Sequence, residues 1–227
     1  MTVNEPQYRC VQTPLILGLF LLPKLQRFDN ILFLRRFAII MQTVNESKVK
    51  WSLRDVIFLA IIAIFFGVIF ELWSAAYYAV AATPLKPYAN DLTLGVWLMA
   101  GPLAGAILQK VGSSTIGEVL AAAVEMLLFS SWGAANLISG FVQGIGTELG
   151  FAATGYKNWD KLGLALSVLT TTIVTFIWDL FNSGYADYKP GMMITLFIIR
   201  LISAGFFGGV LVYYIKKLVT KSGLLKR

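Results

Sequence analysis

Six long apolar stretches, separated by short polar or turn-forming segments, run through the chain from residue 55 onward. A bilayer core about 30 Å thick takes roughly 20 apolar residues per helix. The pattern therefore predicts six transmembrane helices, at about Asp55 to Val80, Thr93 to Gln109, Thr115 to Ser130, Ala134 to Thr154, Leu162 to Phe181 and Met192 to Ile215. The second and third are short, so no large tilt is expected of them. Turn chemistry marks the boundaries: Pro84 and Pro87, then Gly112-Ser113-Ser114, Gly133, Gly155, and finally Gly184 with Pro190 and Gly191. The predicted fold class is all-α, a polytopic membrane protein. No internal repeat of the inverted-transporter kind is visible.

Lysine and arginine set the orientation. One side of the six-helix unit carries Lys48, Lys50, Arg54, Lys110, Lys157, Lys161, Lys216, Lys217, Lys221, Lys226 and Arg227; the other carries Lys86 and Lys189. Cytoplasmic loops hold the excess of such residues, so both termini of the unit are expected in the cytoplasm. The unit occupies residues 48–227. Residues 1–47 do not fit: Leu15 to Leu22 is too short to span before Pro23 and Lys24, and Ile31 to Ile40 is broken by Arg35 and Arg36. Met41 opens a polar leader, MQTVNESKVKW, directly before the first span. It is expected to be the true start, with residues 1–40 outside the working protein; the alternative is an interfacial amphipathic segment.

Composition sharpens the picture. Hydrophobic residues make up 57% of the 227 and charged residues 14%, with a mean hydropathy of +0.72. A soluble domain of this size could not hide so much apolar surface. There is no histidine, which removes His-based acid–base chemistry, Ser–His–Asp triads and most zinc sites. Cys10 is the only cysteine, so no disulfide framework exists. The net charge of +7 brackets apolar stretches and points to a lipid bilayer, not to nucleic acid.

Ionisable groups inside spans are costly, about 2.5–3.5 kcal/mol or more at the centre, and are usually functional or paired. The spans hold five acids (Glu71, Glu118, Glu125, Glu148 and Asp179) against one base, Arg200. That excess suggests a cavity for a cation, or acids kept protonated by desolvation. At 1.5 Å rise per residue, Glu71, Glu125, Gln143, Asp179 and Arg200 fall in the outer half or near the middle and can form one group. Glu118 and Glu148 lie deeper and form either a separate site or a structural contact.

Aromatic residues crowd the outer ends: Trp73, Tyr77, Tyr78, Tyr88, Trp132, Trp178, Tyr185 and Tyr188. Most read as an interfacial belt. Trp97, Trp178 and Tyr185 are the candidates for a stacking or cation–π wall around a flat cation. Gly140, Gly144, Gly146 and Gly150, and Gly205 with Gly209, read as close helix packing. Ala63 and Gly67 form another small-xxx-small pair, which either packs within the bundle or docks a partner helix.

The segments GEVLAAAVEMLLF, FVQGIGTELGF, WDLFNSGYADYKPG and FIIRLISAG, taken together, resemble the substrate-binding S components of energy-coupling factor transporters, in particular the YkoE type. The resemblance covers about residues 49–215. It implies a six-helix membrane subunit, not an enzyme, that captures a vitamin from outside and associates with a transmembrane coupling subunit and two cytoplasmic ATPases. It implies no cofactor and no ATP site of its own, and the chain has no GxxxxGK[ST] motif. The type is associated with thiamine or its hydroxymethylpyrimidine precursor. The positions carried over are Glu118, Glu125, Gln143, Glu148, Asp179, Tyr185 and Arg200. In that reading Glu125 or Asp179 faces the thiazolium, another carboxylate and Gln143 bond the aminopyrimidine, Tyr185 or Trp97 stacks, and Arg200 neutralises a neighbouring acid. Ala63 and Gly67 would face the coupling subunit. The main alternative is an independent cation- or proton-coupled carrier with the acids as its relay. An intramembrane aspartyl protease would need two suitably placed aspartates, and only Asp179 lies inside a span, Asp55 marking the edge of the first.

Overall fold

The computed structural model describes residues 51–222, and every regular element among them is helical. The expected start at Met41, the segment 1–47, and the cations Lys48, Lys50, Lys226 and Arg227 lie outside the described residues. Helix α1 is Leu53–Ala81, α2 Ala89–Trp97, α3 Ala100–Leu108, α4 Ser113–Leu127, α5 Ala135–Ala153, α6 Lys161–Asn182 and α7 Pro190–Ala204. A π-helical stretch, Gly205–Leu211, leads without a break into α8, Val212–Lys221. Four stretches are long and apolar enough to cross a membrane: Leu53–Ala81, Lys86–Leu108, Lys161–Asn182 and Pro190–Lys221. Helices α4 and α5 pack between them, α4 against α1 and α5 against α6.

Local chemistry explains the ends. Ser52 caps α1 in a reciprocal box: its hydroxyl accepts from the Asp55 N–H at 3.3 Å and the Asp55 carboxylate accepts from the Ser52 N–H at 2.7 Å. The same carboxylate takes Lys110 at 2.5 Å, which ties the α3–α4 turn to the start of α1. The second predicted span is two helices. α2 stops at Trp97 and α3 starts at Ala100. Pro102 lacks an N–H, and its ring would strike the carbonyl four residues earlier, which is that of Leu98. The span also begins earlier than the apolar run suggests, at Ala89 behind the short 3₁₀ turn Lys86–Tyr88, and this brings Asn90 and Asp91 into the helix.

Small residues let the helices close. A Cβ on Gly140 would lie 2.6 Å from the Ala122 Cβ, and one on Gly146 would lie 2.8 Å from the Thr171 Cα. Ala63 and Gly67 also face inward. Ala63 is buried, and a Cβ on Gly67 would sit 2.5 Å from Val124 of α4. Packing of Gly67 on α4 of the same chain matches the alternative reading of this pair, closure within the bundle. The outward face of α1 carries Ile57, Ile61, Ile64, Phe65 and Val68 instead. Gly205, expected to allow close helix packing, has open space at its Cβ position instead.

Candidate ligand-binding site

A cavity of about 190 Å³ lies at the end of the bundle where α1 and α6 finish and α5 begins. Its polar wall is made by Glu125 of α4, Gln143, Asn136 and Ser139 of α5, Asp179 and Asn182 of α6, and Asn90 of α2. Its aromatic wall is Phe70, Tyr77, Trp97, Trp132 and Trp178. Three of those rings form a connected set: Tyr77 meets Trp132 edge-on at 5.2 Å between centroids and Trp97 at 6.4 Å. Gly140 lines the cavity beside Ala122, so the tight α4–α5 contact also brings the two polar faces together.

The two carboxylates of the cavity are held differently. Glu125 accepts one hydrogen bond, from the Trp97 indole N–H at 3.1 Å, and makes no other among the described residues. Asp179 accepts three hydrogen bonds, which leaves acceptor capacity at Oδ1. Its Oδ1 accepts from Ser183 at 2.8 Å; its Oδ2 accepts from the Asn90 amide at 3.1 Å and from the Arg200 guanidinium at 2.5 Å. Arg200 is fully buried and bridges two acids, reaching Asp91 through Nε at 2.6 Å. Its guanidinium lies over the Phe176 and Tyr185 rings, at 5.3 and 5.7 Å. Tyr185 donates to Asp91 at 2.7 Å and accepts from Asn90 at 3.1 Å.

The structure thus brings Trp97, Glu125, Gln143 and Asp179 to one cavity. Arg200 and Tyr185 lie one layer behind it, joined through Asp179 and Asn90. Glu118 and Glu148 are elsewhere. Glu118 is buried between α3 and α4, where one oxygen accepts from the Gly101 N–H and Oε1 has no partner. Glu148 accepts from the backbone N–H groups of Gly112, Ser114 and Thr115 at 2.8, 3.0 and 3.4 Å. It therefore satisfies donors that the first turn of α4 leaves without intrahelical partners. Glu71 keeps one buried oxygen unpartnered.

Sequence reasoning missed Asp91 and Asn90, because the apolar run was drawn from Thr93. A signal was present: Pro87 marks a helix start, and that start carries both residues into the span.

Residues 54–174 match the family described as the permease component of an ABC-type cobalt transport system. A Bacillus subtilis (strain 168) protein, YkoE, which carries the name of an HMP/thiamine permease, is 32% identical over 176 residues; the match spans 78% of this chain and 88% of that one. A solved chain described as an S-component of an ECF transporter superposes with a TM-score of 0.73 at 30% identity, covering 78% of this chain and 89% of that one. The chain belongs to the S components of energy-coupling factor transporters. This S component is accordingly a multi-pass membrane transport protein.

Proposed function

We propose that the cavity captures thiamine, or its hydroxymethylpyrimidine precursor, from outside the cell and that the chain hands it to an ATP-driven coupling module. The observation that carries this reading is one small cavity with carboxylates on two walls and five aromatic residues on others. Thiamine is a flat cation of two heteroaromatic rings. An indole or phenol face attracts such a cation. Glu125, with a single hydrogen bond of its own, is the carboxylate available to the thiazolium; Asp179, Gln143 and Asn90 offer acceptors and donors to the aminopyrimidine. A cavity of 150 Å³ encloses one benzene ring, so about 190 Å³ holds one ring of thiamine and leaves the second toward the mouth. The relative named an HMP/thiamine permease supports this substrate class. No histidine is present to supply the imidazole that borderline metal ions favour, which supports an organic cation over a metal ion as cargo.

Glu118 and Glu148 have structural duties in this reading, and Arg200 with Tyr185 holds Asp179 in place. The architecture goes with six spans, α2 and α3 together forming the second, and with both termini in the cytoplasm. In that orientation the cavity opens outward. The coupling subunit and the ATPases are the partners. The test is calorimetric titration of the purified full chain with thiamine and with hydroxymethylpyrimidine, without ATP. Tight binding of either, weakened by Glu125→Gln, is the expected result; no binding of either overturns the substrate assignment. Ligand-driven uptake by the chain alone in liposomes would favour the independent carrier instead.

A further inference from the structure

We propose that a lysine-rich pocket on α8, at the end of the bundle opposite the cavity, binds the anionic headgroup of a membrane phospholipid. The pocket encloses about 310 Å³ and is lined by Asp160, Tyr213, Lys216, Lys217, Thr220 and Lys221. Three lysines face one aspartate. Lys216 is engaged, donating to Asp160 at 2.5 Å and to the Trp159 carbonyl at 3.0 Å. Lys217 and Lys221 are exposed and have no ion pair or hydrogen-bonding side-chain partner among the described residues. A further cation, Lys161 of α6, sits over the Tyr213 ring at 5.5 Å.

Spacing turns this cluster into a site for a lipid. Tyr213, Lys217 and Lys221 recur every four residues and so share one face of α8. Beside it runs a second stripe of the same period: Val210, Tyr214 and Leu218, each more than half exposed. This apolar stripe belongs to the membrane-capable stretch Pro190–Lys221, whose natural neighbour is acyl chain. A phosphodiester with acyl chains satisfies both stripes at once. Free phosphate would use the lysines and leave the apolar stripe unused, and a soluble acidic protein would have to cover residues at membrane depth. Lysines near an anionic leaflet attract its headgroups, and basic pockets between spans hold them.

Native mass spectrometry of the full chain in detergent tests the assignment, with phosphatidylglycerol, phosphatidylcholine of the same acyl chains, and inorganic phosphate as probes. Phosphatidylglycerol should be retained about tenfold more than phosphatidylcholine, and the double variant Lys217→Gln/Lys221→Gln should lose that preference. Each single variant should lose part of it, which keeps the test open if the double variant folds poorly. Thiamine titration of the same variants should be unchanged, so failure here is separable from failure of the substrate reading. Equal retention of the two lipids, equal retention by wild type and double variant, or competition by inorganic phosphate at concentrations matching the lipid would overturn the proposal. So would variants that keep lipid retention and lose only co-purification of the ATPase module, which would assign the patch to a protein.

Discussion

Arg200 is the side chain on which the polar interior turns. Two carboxylates share its guanidinium: Asp91 is fully buried with it, and Asp179 is nearly so at the cavity wall. Removing one partner from a buried ion pair costs about 3–5 kcal/mol, because the other charge is left uncompensated. Arg200→Met should therefore lower the detergent melting temperature sharply, and adding Asp91→Asn should restore part of the loss. A melting point unchanged in Arg200→Met would mean that the pairing adds nothing. Glu125 is a contrasting case, with one hydrogen bond and a place on the cavity wall. Glu125→Gln keeps the shape and an acceptor for Trp97 while deleting the charge. Thiamine affinity is expected to fall by about tenfold or more, and affinity for the neutral hydroxymethylpyrimidine by much less. Equal losses for the two ligands would show that Glu125 bonds the pyrimidine and does not face the thiazolium.

At the scale of elements, α1 provides the clearest test. Gly67 of its small pair is packed against α4 and Ala63 is buried, so Ala63→Leu introduces three carbons where the space is already filled. Overpacking of this kind costs about 1–3 kcal/mol, to be read as a lower melting temperature. Leu72→Ala, on the exposed side of the same helix, should leave the melting temperature nearly unchanged. The apolar runs made all the long helices legible in the sequence, along with their rough order. They did not reveal the break at Leu98, although Pro102 encodes it, because hydropathy averages over backbone chemistry. They also misplaced the start of α2, and with it Asp91, since a polar pair at a helix start reads as loop until its partner is known. The site was half legible for a related reason. An acid on a span announces itself by its cost, but Glu125 on the cavity wall and Glu148 on a helix end announce themselves alike. Only the backbone N–H groups of Gly112, Ser114 and Thr115, brought close by the fold, separate the two. For Ala63 and Gly67 both packing within the bundle and docking of a partner stayed open, because a small-xxx-small stripe specifies close approach without specifying to whom.

For the molecule as a whole, charge asymmetry and site position make a joint claim. Lys110, Lys157, Lys161 and the lysines of α8 belong to connections and ends on one side of the proposed six-span topology, and Lys86 and Lys189 to the other. The cavity lies near the connections that carry the latter two, so a solute from outside meets aromatic rings and carboxylates before it meets the lysine-rich surface. Single-cysteine variants in a Cys10→Ser background test this directly. Leu85→Cys and Asp187→Cys, both at exposed positions between spans, should react with a membrane-impermeant maleimide in intact cells. Lys157→Cys and Ser222→Cys, also exposed, should react only after permeabilisation. Saturating thiamine should leave Lys157→Cys labelling untouched. The reverse pattern would turn the cavity toward the cytoplasm, and capture from outside would then require a different opening; reaction of Asp187→Cys and Lys157→Cys from the same side would remove α6 as a crossing, and with it the parity on which two cytoplasmic termini depend.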